Sequence, residues 1–261
     1  MKVEKKICLS IAGLDPSGGA GILADIKTFN AFGCFGTAAV SSITFQNTQG
    51  VYGAEHQSGE QLKLQVLPIL DDFKIDGLKT GMLPTAETIE AVAEIVEDHE
   101  LPNFVVDPVV RSTSGFDLIP DIALKVLVQR LFPLSKLVTP NLPEAERIAE
   151  ITINSQEDLI KAGERIRNLG AQNVLIKGGH FENNAQSNDY LFTANGIEEF
   201  AGERINTNAT HGTGCTLSAA IAANMALEMP LSKAILAAKE FVTRAIKNAP
   251  NIGKGNSPID I

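Results

Sequence analysis

Near the C-terminal end, Asn208-Ala209-Thr210-His211-Gly212-Thr213-Gly214-Cys215-Thr216 is small, hydroxylated and glycine-rich. It runs into Leu217-Ser218-Ala219-Ala220-Ile221-Ala222-Ala223, a stretch of good helix formers. A loop that feeds a helix in this way aims unpaired backbone N–H groups at one point, and the helix adds roughly half a positive charge there. That is an anion site, and phosphate is the usual anion. An ordinary helix start with glycine for a tight turn explains the same residues without a ligand. The spacing is not that of the Walker loop, Gly-x-x-x-x-Gly-Lys-Ser/Thr. Cys215 stands at the mouth of the site.

Other residues of chemical interest stand where short apolar runs end. Ile7-Cys8-Leu9-Ser10-Ile11-Ala12 reads as a buried strand, followed by the glycine-rich loop Gly13-Leu14-Asp15-Pro16-Ser17-Gly18-Gly19-Ala20-Gly21. Ile22 to Phe29 has helical spacing and stops at Gly33. The glycines do not follow the dinucleotide spacing, so the loop reads either as backbone that wraps a small ligand or as a plain turn. Gly36 to Thr44 predicts a second strand running into Gln46, whose amide can donate and accept at once to a heterocycle. Asn47 and Gln49 are equally amides, and a solvated loop explains all three. Phe104-Val105-Val106-Asp107-Pro108 ends in an acid at the rim where open α/β sheets bind ligands. Leu137-Val138-Thr139-Pro140 leads into Asn141, which either caps a helix or joins Glu144 in holding a hydrated Mg²⁺. Asn173 to His180 predicts a strand in which Lys177 could reach a nucleotide phosphate.

These residues need a scaffold, and the rest of the chain predicts one. Helices are expected over Gln61–Asp71, from Thr85 to about His99, from Ser155 to Leu169, and over about Leu231–Asn248. Ile75 to Thr80 predicts a short strand ending near Met82, and Asp189–Phe192 with Ile197–Phe200 a hairpin. Val109 to Pro120 is a polar loop that reads as a lid or as solvated chain. Strands alternating with helices predict one α/β domain spanning 1–261 with a mostly parallel sheet and an added hairpin.

Composition excludes several classes. A net charge of −9 argues against non-specific nucleic-acid binding, which needs a basic face. No apolar run reaches the ~18 residues of a membrane span, and the charged start at Met1–Lys6 carries no signal-peptide pattern. The three cysteines, Cys8, Cys34 and Cys215, form no CxxC, so no zinc cluster or disulfide scaffold is indicated and a reducing, cytoplasmic compartment is expected. The four histidines have no metal-ligand spacing.

Taken together, Ala12–Gly21 with Ala24–Phe29, Gln46-Asn47-Thr48, Lys79–Leu83, Asp107-Pro108-Val109, Thr139–Ala145, Lys177–His180 and Thr210–Ala220 resemble, in order, the hydroxymethylpyrimidine/phosphomethylpyrimidine kinases of thiamine biosynthesis, within the ribokinase-like superfamily. The resemblance runs from residue 12 to residue 223. It implies a ribokinase-like three-layer αβα fold and a homodimer. It implies ATP-dependent, Mg²⁺-assisted phosphorylation of 4-amino-5-hydroxymethyl-2-methylpyrimidine and then of its monophosphate. By the same resemblance Gln46 pairs with the aminopyrimidine edge, and Gly13, Ala20, Asp25, Met82 and Val109 line that pocket. Lys177, Thr210, Asn141 and Asp107 face ATP, and Asn141 and Glu144 organise the metal. Gly212, Thr213, Gly214 and Cys215 form the catalytic anion hole, with Cys215 where most sugar kinases of the superfamily have Asp. A cysteine at a helix N-terminus can have a lowered pKa and act as a thiolate base.

The chain departs from the family pattern in two places. A Lys often found in the loop after Asp-Pro-Val is Thr113 here, with Arg111 two residues earlier to replace its charge. The usual Asn before Thr-His-Gly-Thr-Gly is Ala209, with Asn208 one place upstream. These leave a pyridoxal or pyridoxine kinase on the same frame as the alternative. A cysteine hydrolase using Cys215 and His211, and a non-catalytic metabolite binder, are the readings from other classes.

Overall fold

A computed structural model describes residues 5–112, 115–178 and 186–261. Thr113, Ser114, Gly179 and His180 therefore lie outside the described residues. The strands are β1 (Ile7–Leu14), β2 (Phe35–Asn47), β3 (Gly50–His56), β4 (Gly77–Thr80), β5 (Phe104–Val106), β6 (Leu137–Val138), β7 (Val174–Ile176), β8 (Asp189–Thr193) and β9 (Gly196–Phe200). The helices are α1 (Gly21–Ala31), α2 (Gly59–Asp72), α3 (Ala86–His99), α4 (Asp121–Leu131), α5 (Leu142–Ala149), α6 (Gln156–Asn168), α7 (Thr213–Ala226) and α8 (Leu231–Lys247).

All strands join one nine-stranded sheet in the order β3-β2-β1-β4-β5-β6-β7-β8-β9. The pairs from β2 through β7 are parallel, whereas β3, β8 and β9 are antiparallel additions at the two edges. The strand order reverses direction between β1 and β4, and a crevice at such a switch point is where open α/β sheets bind ligands. Short apolar strands with no polar alternation, such as Phe104-Val105-Val106, fit a sheet covered on both faces.

One face carries α2 to α6 over a core that includes Leu62, Ile89, Leu127 and Ile166. The other carries α1, α7 and α8 over Phe29, Val105, Ile221 and Ile235. Helix α7 is buried from Thr216 to Ala226, which explains its nearly continuous Ala/Leu/Ile run: no side of it faces water. The helix crosses so close to β4 that a Cβ on Gly77 would lie 3.0 Å from the Ala222 carbonyl oxygen.

The ribokinase-like αβα expectation holds, with local differences. Strand β2 continues past Thr44 to Asn47 and pairs with β3, which the sequence does not announce. Gly50-Val51-Tyr52-Gly53-Ala54-Glu55-His56 has little apolar alternation because no residue of this edge strand is buried. No element was expected over α4, although its buried Ala123, Leu124, Leu127 and Leu131 have helical spacing. Ser58, Thr85, Asn141 and Ser155 cap their helices through side-chain oxygens.

Candidate active site

Two glycine-rich loops meet at the carboxyl rim of the sheet. Gly212 caps α7 with φ +87, and a Cβ there would overlap the Gly19 carbonyl oxygen, so glycine is required both by conformation and by contact. Asp15 holds the two loops together. Its Oδ1 accepts from the Ser17 backbone at 2.8 Å and the Ser17 hydroxyl at 2.7 Å. Its Oδ2 accepts from the Ala20 backbone at 2.9 Å and pairs with His211 Nε2 at 2.7 Å. Burial would raise the Asp15 carboxyl, but the His211 and Ser17 hydrogen bonds win and hold it below its ordinary value. At the start of α7, the Thr213 amide turns to the Thr210 carbonyl at 3.3 Å and the Thr216 amide to the Gly212 carbonyl at 2.9 Å. The Gly214 and Cys215 amides have no backbone acceptor among the described residues outside the helix and lie in the wall of a cavity of about 1040 Å³.

Part of the cavity wall is formed by uncharged residues. Gln46, Gly13, Ala20, Met82 and Val109 line it, as the resemblance implied. A bulge between Phe45 and Gln46 sets Gln46 into the wall, and its amide nitrogen donates to Thr44 Oγ1 at 2.7 Å. The second amide hydrogen and Oε1 are left for an in-plane partner that both accepts and donates, as an aminopyrimidine edge does.

Asp25 corrects one expectation. It does not line the cavity but lies beneath it, fully buried. Ser10 Oγ donates to it at 2.6 Å, and Lys79 Nζ donates to both its oxygens at 3.0 and 2.8 Å. Lys79 is itself fully buried yet reaches the cavity floor. Burial opposes its charge, but Asp25, Cys215 and Asp107 outweigh it and hold the ammonium above the ordinary lysine range. The role of Lys79 is not announced by its motif; the only local signal is a lone lysine inside the short strand Gly77-Leu78-Lys79-Thr80.

Another part of the wall is charged. Asp107, at the end of β5, accepts from Lys177 Nζ at 3.0 Å, Thr139 Oγ1 at 3.2 Å and Ser218 Oγ at 3.2 Å. Burial would raise its carboxyl, but Lys177 and Lys79 hold it below the ordinary range. Asn141 and Glu144 form a reciprocal capping box, Asn141 Oδ1 accepting from the Glu144 amide at 2.9 Å and Glu144 Oε2 from the Asn141 amide at 2.8 Å. Capping therefore accounts for both residues, although both also face the cavity. Burial pushes the Glu144 carboxyl up to about 7; Lys177 opposes this and the charge of Asp107 adds to it.

Cys215 also lines the cavity. The expected lowering of its pKa is corrected. Burial pushes the thiol up to about 11, against the pull of Lys79 and a hydrogen bond from the Gly21 backbone, with Asp25 and Asp107 adding to the rise. His211 pairs with Asp15, and the charges acting on Cys215 come from Lys79, Asp25 and Asp107, so the Cys–His arrangement of a hydrolase is not what the structure builds. Thr210 lines the cavity and accepts Thr213 Oγ1 at 3.0 Å. Arg111 pairs with Asp117 at 3.0 Å, and Asn208 is exposed and outside the cavity wall.

This arrangement agrees with a family model described as phosphomethylpyrimidine kinase, which matches residues 15–260. The chain belongs to the phosphomethylpyrimidine kinase family. A hydroxymethylpyrimidine/phosphomethylpyrimidine kinase of Staphylococcus aureus (strain Mu50) is 41% identical over 259 residues, covering 99% of this chain and 94% of that protein. Among solved structures of the family's fold, the phosphomethylpyrimidine kinase from Clostridium difficile 630 superposes with a TM-score of 0.82 at 37% identity, covering 93% of this chain and 100% of that one. The pyridoxal kinase from Staphylococcus aureus in complex with AMP-PCP and pyridoxal superposes with a TM-score of 0.91 at 32% identity, covering 99% of this chain and 94% of that one.

Proposed function

We propose that this chain uses ATP to phosphorylate the hydroxymethyl group of 4-amino-5-hydroxymethyl-2-methylpyrimidine, and then the resulting monophosphate, in thiamine biosynthesis. The observation that carries this is one continuous cavity. Its neutral wall of Gln46, Met82 and Val109 leads to Cys215, the α7 amides and Lys177. In the first step the substrate hydroxyl oxygen bonds to the γ-phosphorus, the bond to ADP breaks, and the hydroxyl proton leaves. Gln46 fixes the ring. The Gly212–Gly214 segment and Lys177 neutralise charge on the phosphoryl group, where preorganised donors carry most of the catalysis. Cys215 lies at the seam and accepts the proton once it is a thiolate, a form that Lys79 favours and burial opposes.

Mg²⁺ fits the donor set. The ion takes one or two carboxylates, with water and phosphate oxygens completing its shell. Among the described residues no group of three or more His, Cys, Asp or Glu could hold a metal unaided. Glu144 is a buried carboxylate with its pKa raised to about 7, a group whose charge a cation would stabilise. Glu144 and Asn141 would hold the ion, which would supply charge neutralisation on the phosphates.

We also assign a cytoplasmic homodimer of one catalytic domain per chain. Ile43, Phe45 and Tyr52 are exposed on the β2–β3 hairpin and supply an apolar surface for self-association, and Cys8, Cys34 and Cys215 are free thiols suited to a reducing compartment. No helix among the described residues is long and apolar enough to cross a membrane.

Pyridoxal is the second reading, favoured by the 0.91 superposition on a pyridoxal kinase. Both substrates are flat heteroaromatics bearing a hydroxymethyl. Comparing kcat/KM for the two alcohols with ATP and Mg²⁺ decides between them. A preference of about a hundredfold for pyridoxal would overturn the pyrimidine assignment.

A further inference from the structure

The chain beyond α8 does not trail into solvent. Residues 252–259 bond both to Thr48, two residues beyond the cavity-lining Gln46, and to the cavity-lining His211. The Asn256 amide donates to the Thr48 carbonyl at 2.8 Å. The Lys254 and Gly255 amides both donate to Thr48 Oγ1, at 3.2 and 3.3 Å. Gly255 packs so closely that a Cβ there would overlap the Thr48 carbonyl oxygen.

The same segment holds His211, one residue before Gly212. The His211 amide donates to the Ser257 carbonyl at 3.2 Å, and the Ile259 amide to the His211 carbonyl at 3.4 Å. Ser257 and Ile259 are buried, and the Ser257 hydroxyl accepts the Ile252 amide at 3.1 Å, folding the segment on itself. The Asp260 amide returns to the Ala245 carbonyl of α8 at 3.1 Å, anchoring the far end. Pro258 also borders Gly19, where a Cβ would lie 3.0 Å from its ring.

We propose that residues 252–259 are a strap that fixes the spacing between Gln46 and the Gly212–Cys215 loop, with Thr48 as a positioning residue for phosphoryl transfer. This rests on the kinase reading above. The physical need is plain. Gln46 lies near the turn end of an edge hairpin and the anion loop belongs to α7; the other route between them runs through the β1–β2 pairing and the Asp15–His211 bond, and does not reach the Thr48 end of the hairpin. Transfer requires the hydroxyl and the γ-phosphorus at near-attack distance, where a displacement of about 1 Å can cost about a hundredfold in rate. Two amides on one hydroxyl oxygen convert a free tail into a brace.

The test compares Thr48→Val, which removes the acceptor, with Thr48→Ser, which keeps it. For Thr48→Val we expect kcat/KM for the pyrimidine alcohol to fall about tenfold or more while KM for ATP stays put and Tm moves by only a few degrees. Thr48→Ser should restore turnover to within about threefold. Hydrogen exchange of the substrate-free protein gives an arm that does not depend on activity. Thr48→Val should speed exchange about tenfold in peptides covering 209–216, although Thr48 bonds no residue of that stretch. Wild-type turnover in Thr48→Val, or faster exchange confined to 250–257, would overturn the strap. So would equal losses in both variants. Phosphate transfer by the wild-type enzyme reports separately on the kinase reading, so failure of one is distinguishable from failure of the other.

Discussion

The two ends of the cavity are built on opposite principles. Gln46, Gly13, Ala20, Met82 and Val109 give the cavity an uncharged stretch of wall, whereas at the other stretch Asp107 and Glu144 are buried carboxylates beside the partly buried Lys177 and Cys215. A flat neutral ring is recognised by shape and one two-way amide. A phosphoryl group in transfer is recognised by charge, and charge held away from water acts strongly. The cost of such burial appears as the raised Glu144 carboxyl and the raised Cys215 thiol. Lys79 connects the two ends from below: it lies under the neutral wall, pairs with Asp25, and its charge is felt at Cys215.

That division predicts different consequences at each end. The largest concerns the floor. Lys79→Met strands Asp25 as an unpaired buried carboxylate, and the loss should be ~3–5 kcal/mol of unfolding free energy in a denaturant titration. A loss under ~1 kcal/mol would show that the pair does not support the charged end. Next, Lys177→Ala should lower kcat about a hundredfold with the pyrimidine KM unchanged, since it removes one fixed donor to the phosphoryl group. Steady-state kinetics with each substrate varied check this, and a rise confined to the pyrimidine KM would contradict it. Gln46→Ala should do the reverse, raising the pyrimidine KM by roughly tenfold, an unpaired heterocycle edge costing ~1–3 kcal/mol, while ATP binding is untouched. The smallest effect sharpens the electrostatics. Because burial disfavours the thiolate, Cys215 should be alkylated slowly at neutral pH, with a rate that climbs toward pH 11 rather than levelling near the ordinary 9.0. A plateau below that ordinary value would mean the positive groups outweigh burial.

Legibility in the sequence follows the same line. Residues at strand ends were readable because a breaker after a short apolar run marks the rim: Gln46, Asp107, Asn141 and Lys177 all stand there and all line the cavity. Alternation of strands and helices was enough for the αβα sheet. What escaped depends on partners distant in sequence. Asp25 read as a wall residue because its neighbours match a motif, yet its carboxylate turns to Lys79 and Ser10 below the floor. Asp15 pairs with His211 across almost the whole chain, and no local pattern announces that bond. The helix N-terminus predicted an acidic Cys215; desolvation, which sequence does not report, reverses the sign. The tail from 252 to 259, with two glycines and no apolar periodicity, carries no element signal of its own, and its amides brace Thr48 while Ile259 bonds the His211 carbonyl.

The division between a recognising end and a reacting end is tested most directly at the seam. Cys215→Ala should be titrated with hydroxymethylpyrimidine by calorimetry and assayed for ATP-dependent turnover in the same preparation. A general base contributes about a hundredfold or more to rate and little to ground-state affinity. We expect pyrimidine binding within about twofold of wild type together with kcat lower by about a hundredfold. Intact turnover, or affinity and turnover falling in step, would contradict it.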